Sequence, residues 1–324
     1  MRITVSAWDP SYADSSESMT HAARAKLDLA LELPPHAWEP ITASPDVPPP
    51  PRVMLVDGVR RLDARVDIAL DGHPPQPGLC ASYAAGVVVC DLAGRVPTAN
   101  LAHSTIARGL FSQEPGEGMH AGRLAHYAPQ RVTVQEPADL INAVQDRLSA
   151  IEVAVSTRAQ PTDSDLLVLD GALRRRGHLP RAVGYIKSHQ RSYLPDELHS
   201  VVGGLSAGQR TPIFGLATTW QRHSWYLRLP GGGDNAWAGI ARLEASADLS
   251  VRAVVELANA SARVLPQLSS APHKDPRAPQ NLTPIAGLER ALRMKLGDPT
   301  LLLRRLRASS NPGDSASSPR GDML

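Results

Sequence analysis

Two Asp-Gly pairs stand out in this 324-residue chain: Asp57-Gly58 in VMLVDGVRR and Asp170-Gly171 in DLLVLDGALRRRG, about 110 residues apart. Each follows a run of β-branched or aliphatic residues, so each aspartate is expected at or near the end of a buried strand. A carboxylate there is costly without compensation, and a metal ion is the usual one. Between them Glu152 sits in RLSAIEVAVS, flanked by Ile151 and Val153, in a segment with helical periodicity. Carboxylates are hard oxygen ligands suited to Mg²⁺ or Mn²⁺. Two such ions about 4 Å apart stabilise both the attacking and the leaving oxygen of a phosphodiester displacement. Each residue also has a plainer reading. Asp-Gly is a common turn dipeptide, and Glu152 fits the edge of an amphipathic stripe.

The elements that must position these residues can be read from periodicity. A strand over 2–7 and a helix over 19–33 precede a Pro-rich stretch, 47–51, which reads as a rigid extended connector. RVMLVDG (52–58) is a continuous apolar run, as in a central strand; LDARVDIAL (62–70) alternates; LCASYAAGVVVCDL (79–92) is a third strand region, bent at Gly86. Residues 93–135 are mixed, with β-like runs such as 130–135. Leu140, Ile141, Val144, Leu148, Ile151 and Val155 recur at helical spacing over 137–158. Strands at 165–171 and 181–189 follow, then three antiparallel strands at 211–220, 223–231 and 236–246, the last two joined by PGGGDN. Helices at 249–268 and 284–296 close the fold, the second stopped by Gly297 and Pro299. The polar, Pro/Ser-rich tail from about residue 308 reads as disordered. The chain thus divides into an N-terminal strand, helix and connector (1–51), a folded domain (52–307) and a tail (308–324).

Composition excludes little. The formal net charge is +2, which makes no case for nucleic acid by itself. Of the 34 basic side chains only four are lysines: Lys26, Lys187, Lys274 and Lys295. That bias fits a GC-rich coding sequence as well as phosphate recognition. Cys80 and Cys90 form no zinc-type spacing. The opening MRITVSAWDP lacks the apolar core and cleavage motif of a signal peptide, and no apolar run approaches the ~20 residues of a membrane span. A reduced, cytoplasmic setting without membrane association is the expectation. No GxSxG, Walker A or strand-following GxGxxG supports another α/β hydrolytic chemistry.

The element order (strand with Asp57, two more antiparallel strands, helix with Glu152, strand with Asp170, further strand and helix) resembles the ribonuclease H-like fold. The fold class expected is therefore α/β: a mixed sheet, with an antiparallel meander and parallel strands, flanked by helices and extended by C-terminal antiparallel strands. The motifs Val56-Asp57-Gly58, Glu152 and Leu169-Asp170-Gly171-Ala172-Leu173, followed by a strand ending in Lys187 (VGYIK), resemble the NurA nuclease family over residues 50–305 or so. That resemblance implies a ribonuclease H-like core, Mn²⁺-dependent (or Mg²⁺-dependent) cleavage of DNA, a homodimeric toroid, and a HerA-like hexameric ATPase as partner in DNA end processing. Asp57, Glu152 and Asp170 would be the metal ligands.

One position departs from the family. Its C-terminal motif is a tyrosine followed eight residues later by a histidine; Asn281 and Glu289 stand there instead. Glu289 serves as a fourth carboxylate or is an inert helix glutamate. His273 supplies the missing imidazole or is a loop histidine facing solvent. Lys187 is placed to bind the scissile phosphate or hold the attacking water; otherwise it is a surface lysine at a strand end. Arg174, Arg175 and Arg176 after the second Asp-Gly, and Arg60 and Arg61 after the first, are placed to neutralise a DNA backbone or form solvated clusters. Trp220, Trp225, Tyr226 and Trp237 read as core before they read as base-stacking residues. The altered C-terminal motif also motivates the alternative of a catalytically inactive scaffold that binds DNA or an ATPase partner.

Overall fold

A computed structural model describes residues 1–6, 25–45, 48–187, 193–231 and 237–310. Its organising element is an 18-residue strand, Arg52–Ala69. Ahead of it lie β1 (Arg2–Val5), β2 (Lys26–Asp28) and β3 (Ile41–Thr42), so the long strand is β4. The apolar run RVMLV and the alternating LDARVDIA, expected as two strands, are one. Asp57-Gly58 makes no turn because the ladder continues through it: Asp57 pairs with Gly86 and Gly58 with Ala85. Asp57 is therefore not at a strand end.

β4 forms an antiparallel meander with β5 (Gln76–Asp91) and β6 (Thr98–Ser112). β7 (Met119–Ala121) and β8 (Ala125–Arg131) extend that edge. Helix α1 spans Pro137–Arg158, the range its periodicity predicts. Pro137 opens it, and the Asp139 carboxylate accepts the Gln135 and Glu136 backbone N–H groups at 2.8 and 2.9 Å. The parallel strands β9 (Leu166–Asp170) and β10 (Ala182–Ile186) follow. Next come α2 (Asp196–Gly203), a short helix that the sequence reading did not anticipate, β11 (Gln209–Arg210), and the antiparallel β12 (Phe214–Ala217), β13 (Gln221–Arg228) and β14 (Ile240–Ser246). Helices α3 (Val251–Leu268), α4 (Thr283–Lys295) and α5 (Pro299–Ser310) close the described chain.

Among the described residues the strands make a fourteen-stranded sheet with main order β2-β12-β13-β14-β10-β9-β4-β5-β6-β8-β7. This is an α/β fold: β9 runs parallel to both β4 and β10, most other pairings are antiparallel, and helices flank the sheet. The run β6-β5-β4-β9-β10 is the expected antiparallel meander joined to parallel strands. One face, carrying Met54, Val56, Leu167 and Leu169, packs on Leu140, Val144, Leu148 and Val155 of α1. The other, carrying Val53, Leu55, Leu166, Val168, Val183 and Tyr185, packs on α3 and α4 through Val254, Leu257, Ile285, Leu288 and Leu292. No described helix is long and apolar enough to cross a membrane.

Two expectations near the ends need correction. The helix over 19–33 is absent from its described part: Lys26–Asp28 is a strand paired with β12. Leu27 and Leu29 alternate at the two-residue period of a strand and join Leu33 in packing around Phe214 and Tyr226. Residues 19–24 lie outside the described residues. At the other end, helix continues through Ser310, past the expected start of the tail. Pro299, read with Gly297 as a stop, starts α5: the Asp298 side chain accepts the Leu301 N–H at 2.8 Å, and proline suits a first helical turn. Leu302 and Leu306 then pack on Val66, Ile68 and Tyr127. Residues 311–324 and most of the PGGGDN turn lie outside the described residues.

Candidate metal centre

Strand register brings the two aspartates together. β4 and β9 pair in parallel from Val53↔Leu166 to Val56↔Leu169, so the next step along both strands sets Asp57 beside Asp170. Side chains alternate along a strand. Val53, Leu55, Leu166, Val168, Val183 and Tyr185 all face the α3/α4 side; by the same parity Asp57, Asp170 and Lys187 do too. Helix α4 delivers Glu289 to the same place. Its neighbour Leu288 packs onto Gly86, the partner of Asp57 in the ladder. A Cβ at position 86 would lie 2.9 Å from Leu288 Cδ1 and 3.1 Å from the His103 carbonyl oxygen, so the glycine sets how closely α4 approaches. One carboxylate oxygen each from Asp57, Asp170 and Glu289 lie within 4.8 Å of one another.

Cations meet two of these three carboxylates. Lys187 Nζ donates to Asp170 Oδ2 at 2.5 Å and to Asn281 Oδ1 at 2.8 Å. Asn281 is fully buried and donates in turn to Asp275 Oδ2 at 2.5 Å. Arg277 donates to both oxygens of Glu289, at 3.3 and 3.0 Å. Asp57 differs: it is 9% exposed and accepts the Gly58 N–H at 2.7 Å, with no ion-pair partner among the described residues. Burial, reinforced by the negative charges of Asp170 and Glu289, pushes its carboxyl well above the ordinary aspartate range, and Lys187 only partly opposes this. Burial also raises Asp170, against the lowering effect of Lys187.

Glu152 lies elsewhere. It projects from the α1 side, 6% exposed, with Oε2 2.5 Å from Arg176 Nη1. Its Oε1 is 2.7 Å from where a Cβ on Gly58 would be, so the missing side chain at 58 admits it against the β4 backbone. Burial raises its carboxyl despite Arg176. The structure thus gathers Asp57, Asp170, Lys187 and Glu289 and leaves Glu152 outside that group. Arg176, expected on a nucleic-acid face, is turned inward onto Glu152 and the Ala172 carbonyl. Arg60, Arg174 and Arg175 are exposed, Arg175 facing Asp146 at 3.6 Å. Arg61 caps the end of α4 through the Leu296 and Gly297 carbonyls and pairs with Asp63. His273 is an exposed residue outside the acidic group. Trp225 and Tyr226 are core; Trp220 stacks under Arg222, and Trp237 meets Tyr226 edge-on. No spacing in the sequence marks Arg277 and Asp275 as neighbours of this group, and Asn281 shows there only as a mismatch to the family motif.

The donor set is all carboxylate oxygen, the chemistry Mg²⁺ and Mn²⁺ prefer. Oxygens sharing one such ion lie at most ~4.2 Å apart, close to the observed upper bound. Asp57, buried and without an ion-pair partner among the described residues, fits a group that awaits a positive charge. The chain matches no protein-family model and no curated protein.

Proposed function

We propose that this chain is a divalent-metal-dependent DNA nuclease, similar to the NurA family, using Mn²⁺ or Mg²⁺. The observation that carries the reading is the convergence of Asp57, Asp170 and Glu289 within 4.8 Å, with Lys187 on Asp170. A bound divalent ion supplies positive charge for in-line displacement at a phosphodiester. Asp57, Asp170 and Glu289 would hold it. Lys187, anchored by Asn281, neutralises charge on the phosphate beside Asp170. Exposed Arg60, Arg174 and Arg175 carry the flanking backbone, a salt-dependent contribution without sequence preference. A homodimer, a HerA-like ATPase partner, DNA end processing and a cytoplasmic setting belong to the same proposal.

A second reading is a scaffold that binds DNA or an ATPase without cutting. It draws support from Asp170, Glu289 and Glu152 each already being met by a cation of the chain itself. Asp57→Asn and Asp170→Asn separate the two. The nuclease reading expects Mn²⁺-dependent cleavage of DNA in wild type and none in either variant, with circular dichroism unchanged. Wild-type cleavage in both variants sinks it, and absence of calorimetric Mn²⁺ binding at millimolar metal favours the scaffold.

A further inference from the structure

We propose that Arg277 is a built-in counter-cation that competes with the divalent ion for Glu289 and so sets the affinity of the centre. The inference rests on reading Asp57, Asp170 and Glu289 as metal ligands. Both oxygens of Glu289 are engaged by the two terminal nitrogens of Arg277, the bidentate fork that a guanidinium makes with a carboxylate. A carboxylate held this way offers less free charge to an ion. The Arg277 side chain is half exposed, 53%, while that of Glu289 is 14% exposed. The guanidinium therefore has a route into water that Glu289 lacks, and withdrawing it leaves no buried cation behind.

The placement of Arg277 is determined by its own loop. The Asp275 carboxylate accepts the Arg277 backbone N–H at 2.8 Å and lies 3.5 Å from its Nε. The other oxygen of Asp275 takes the Asn281 amide, whose carbonyl oxygen receives Lys187. One hydrogen-bonded chain, Arg277–Asp275–Asn281–Lys187, thus aims both of the described cations that face the acidic group. The two ends differ in kind. Lys187 is held between Asp170 and Asn281 with its side chain 20% exposed, and Arg277 stands further out at the solvent edge. Asp57 supplies the independent sign that a further cation belongs here: its buried carboxylate has no ion-pair partner among the described residues.

Removing the Arg277 charge should tighten metal binding, since the ion then meets a carboxylate group one charge more negative in a poorly hydrated site. Mn²⁺ titration by calorimetry of the full chain is the test, with wild type, Arg277→Gln, Arg277→Lys, Asp170→Asn, Glu289→Gln and the double variant Arg277→Gln/Glu289→Gln. Arg277→Gln is expected to bind Mn²⁺ on the order of tenfold more tightly, with Arg277→Lys between it and wild type. The gain should vanish when Glu289 is glutamine. Melting temperature should also rise more on adding Mn²⁺ to Arg277→Gln than to wild type. Equal or weaker binding by Arg277→Gln, while Asp170→Asn loses binding, overturns the counter-cation and leaves the metal centre standing. Absence of Mn²⁺ binding in wild type and Arg277→Gln alike overturns both.

Discussion

Replacing Arg176 by methionine tests whether Glu152 is held as half of a buried ion pair. The two charges are nearly enclosed, 8% and 6% exposed, and meet at 2.5 Å. Deleting one partner of such a pair typically costs about 3–5 kcal/mol, because the other charge is left buried and alone. Here the cost has a ceiling. Burial already raises the Glu152 carboxyl, and without Arg176 it rises further, so protonation relieves the isolated charge. The sign follows from linkage. In the variant the folded state keeps a proton that the unfolded chain releases above its ordinary glutamate pKa of about 4.3. Stability therefore falls as pH rises from there through the raised folded pKa, and levels off beyond it. Urea unfolding of wild type, Arg176→Met, Glu152→Gln and the double variant, without metal, at pH 5 and pH 8, gives the cycle. The expectation is a loss of about 3 kcal/mol at pH 8 for Arg176→Met, a smaller loss at pH 5, and a double variant close to Glu152→Gln alone. The coupling should then equal nearly the whole Arg176→Met loss, about 3 kcal/mol. A double variant no more stable than Arg176→Met, or a penalty independent of pH, refutes the buried-pair account.

Two further expectations concern Gly58 and Asp57. Gly58→Ala would put a Cβ 2.6 Å from Leu148 Cδ1 and 2.7 Å from Glu152 Oε1, and should cost about 1–3 kcal/mol as overpacking, read as a lower urea midpoint. An unchanged midpoint would mean that α1 sits further from β4 than described. In metal-free protein, the raised Asp57 carboxyl makes stability decline as pH climbs above the ordinary aspartate range through the folded pKa. Asp57→Asn removes that decline, so it should exceed wild type in thermal stability at pH 8 without metal and converge with it near pH 4; parallel pH profiles would contradict the shift.

Much of the fold was legible because hydrophobic period follows backbone geometry. Helix α1 came out to the residue, since Leu140, Val144, Leu148 and Val155 face one sheet and Pro137 and Arg158 bound the stripe. β9, β10 and the antiparallel strands after them were recognisable as apolar runs. What local pattern could not supply was context. Leu27 and Leu29 fit a helix face as well as a strand face, and pairing of Lys26–Asp28 with β12 decides the matter. Gly297 and Pro299 stop one helix and start another, and only the burial of Leu302 and Leu306 shows that α5 is needed.

The candidate site shows the same division between chain order and packing. The two Asp-Gly pairs are alike in sequence and differ in physics. Gly171 has φ +90 and open space at its Cβ position, and it stands just past the end of β9, where its N–H still reaches the Tyr185 carbonyl oxygen at 2.8 Å. Gly58 stays within the ladder, and its lack of a side chain makes room for Glu152. Glu289 was named from the sequence because it fell at a family position, but its approach to Asp57 depends on Gly86 admitting Leu288. The face on which each carboxylate lies is set by parity from the strand register, a property of pairing between β4 and β9 rather than of either strand. Asp57 and Asp170 share a face because Val56 pairs with Leu169. A one-residue slip between the strands would send them to opposite faces and dissolve the group. The pairing that creates the site is therefore the same pairing that buries Val53, Leu55, Leu166 and Val168 against α3 and α4, so core and site stand or fall on one register.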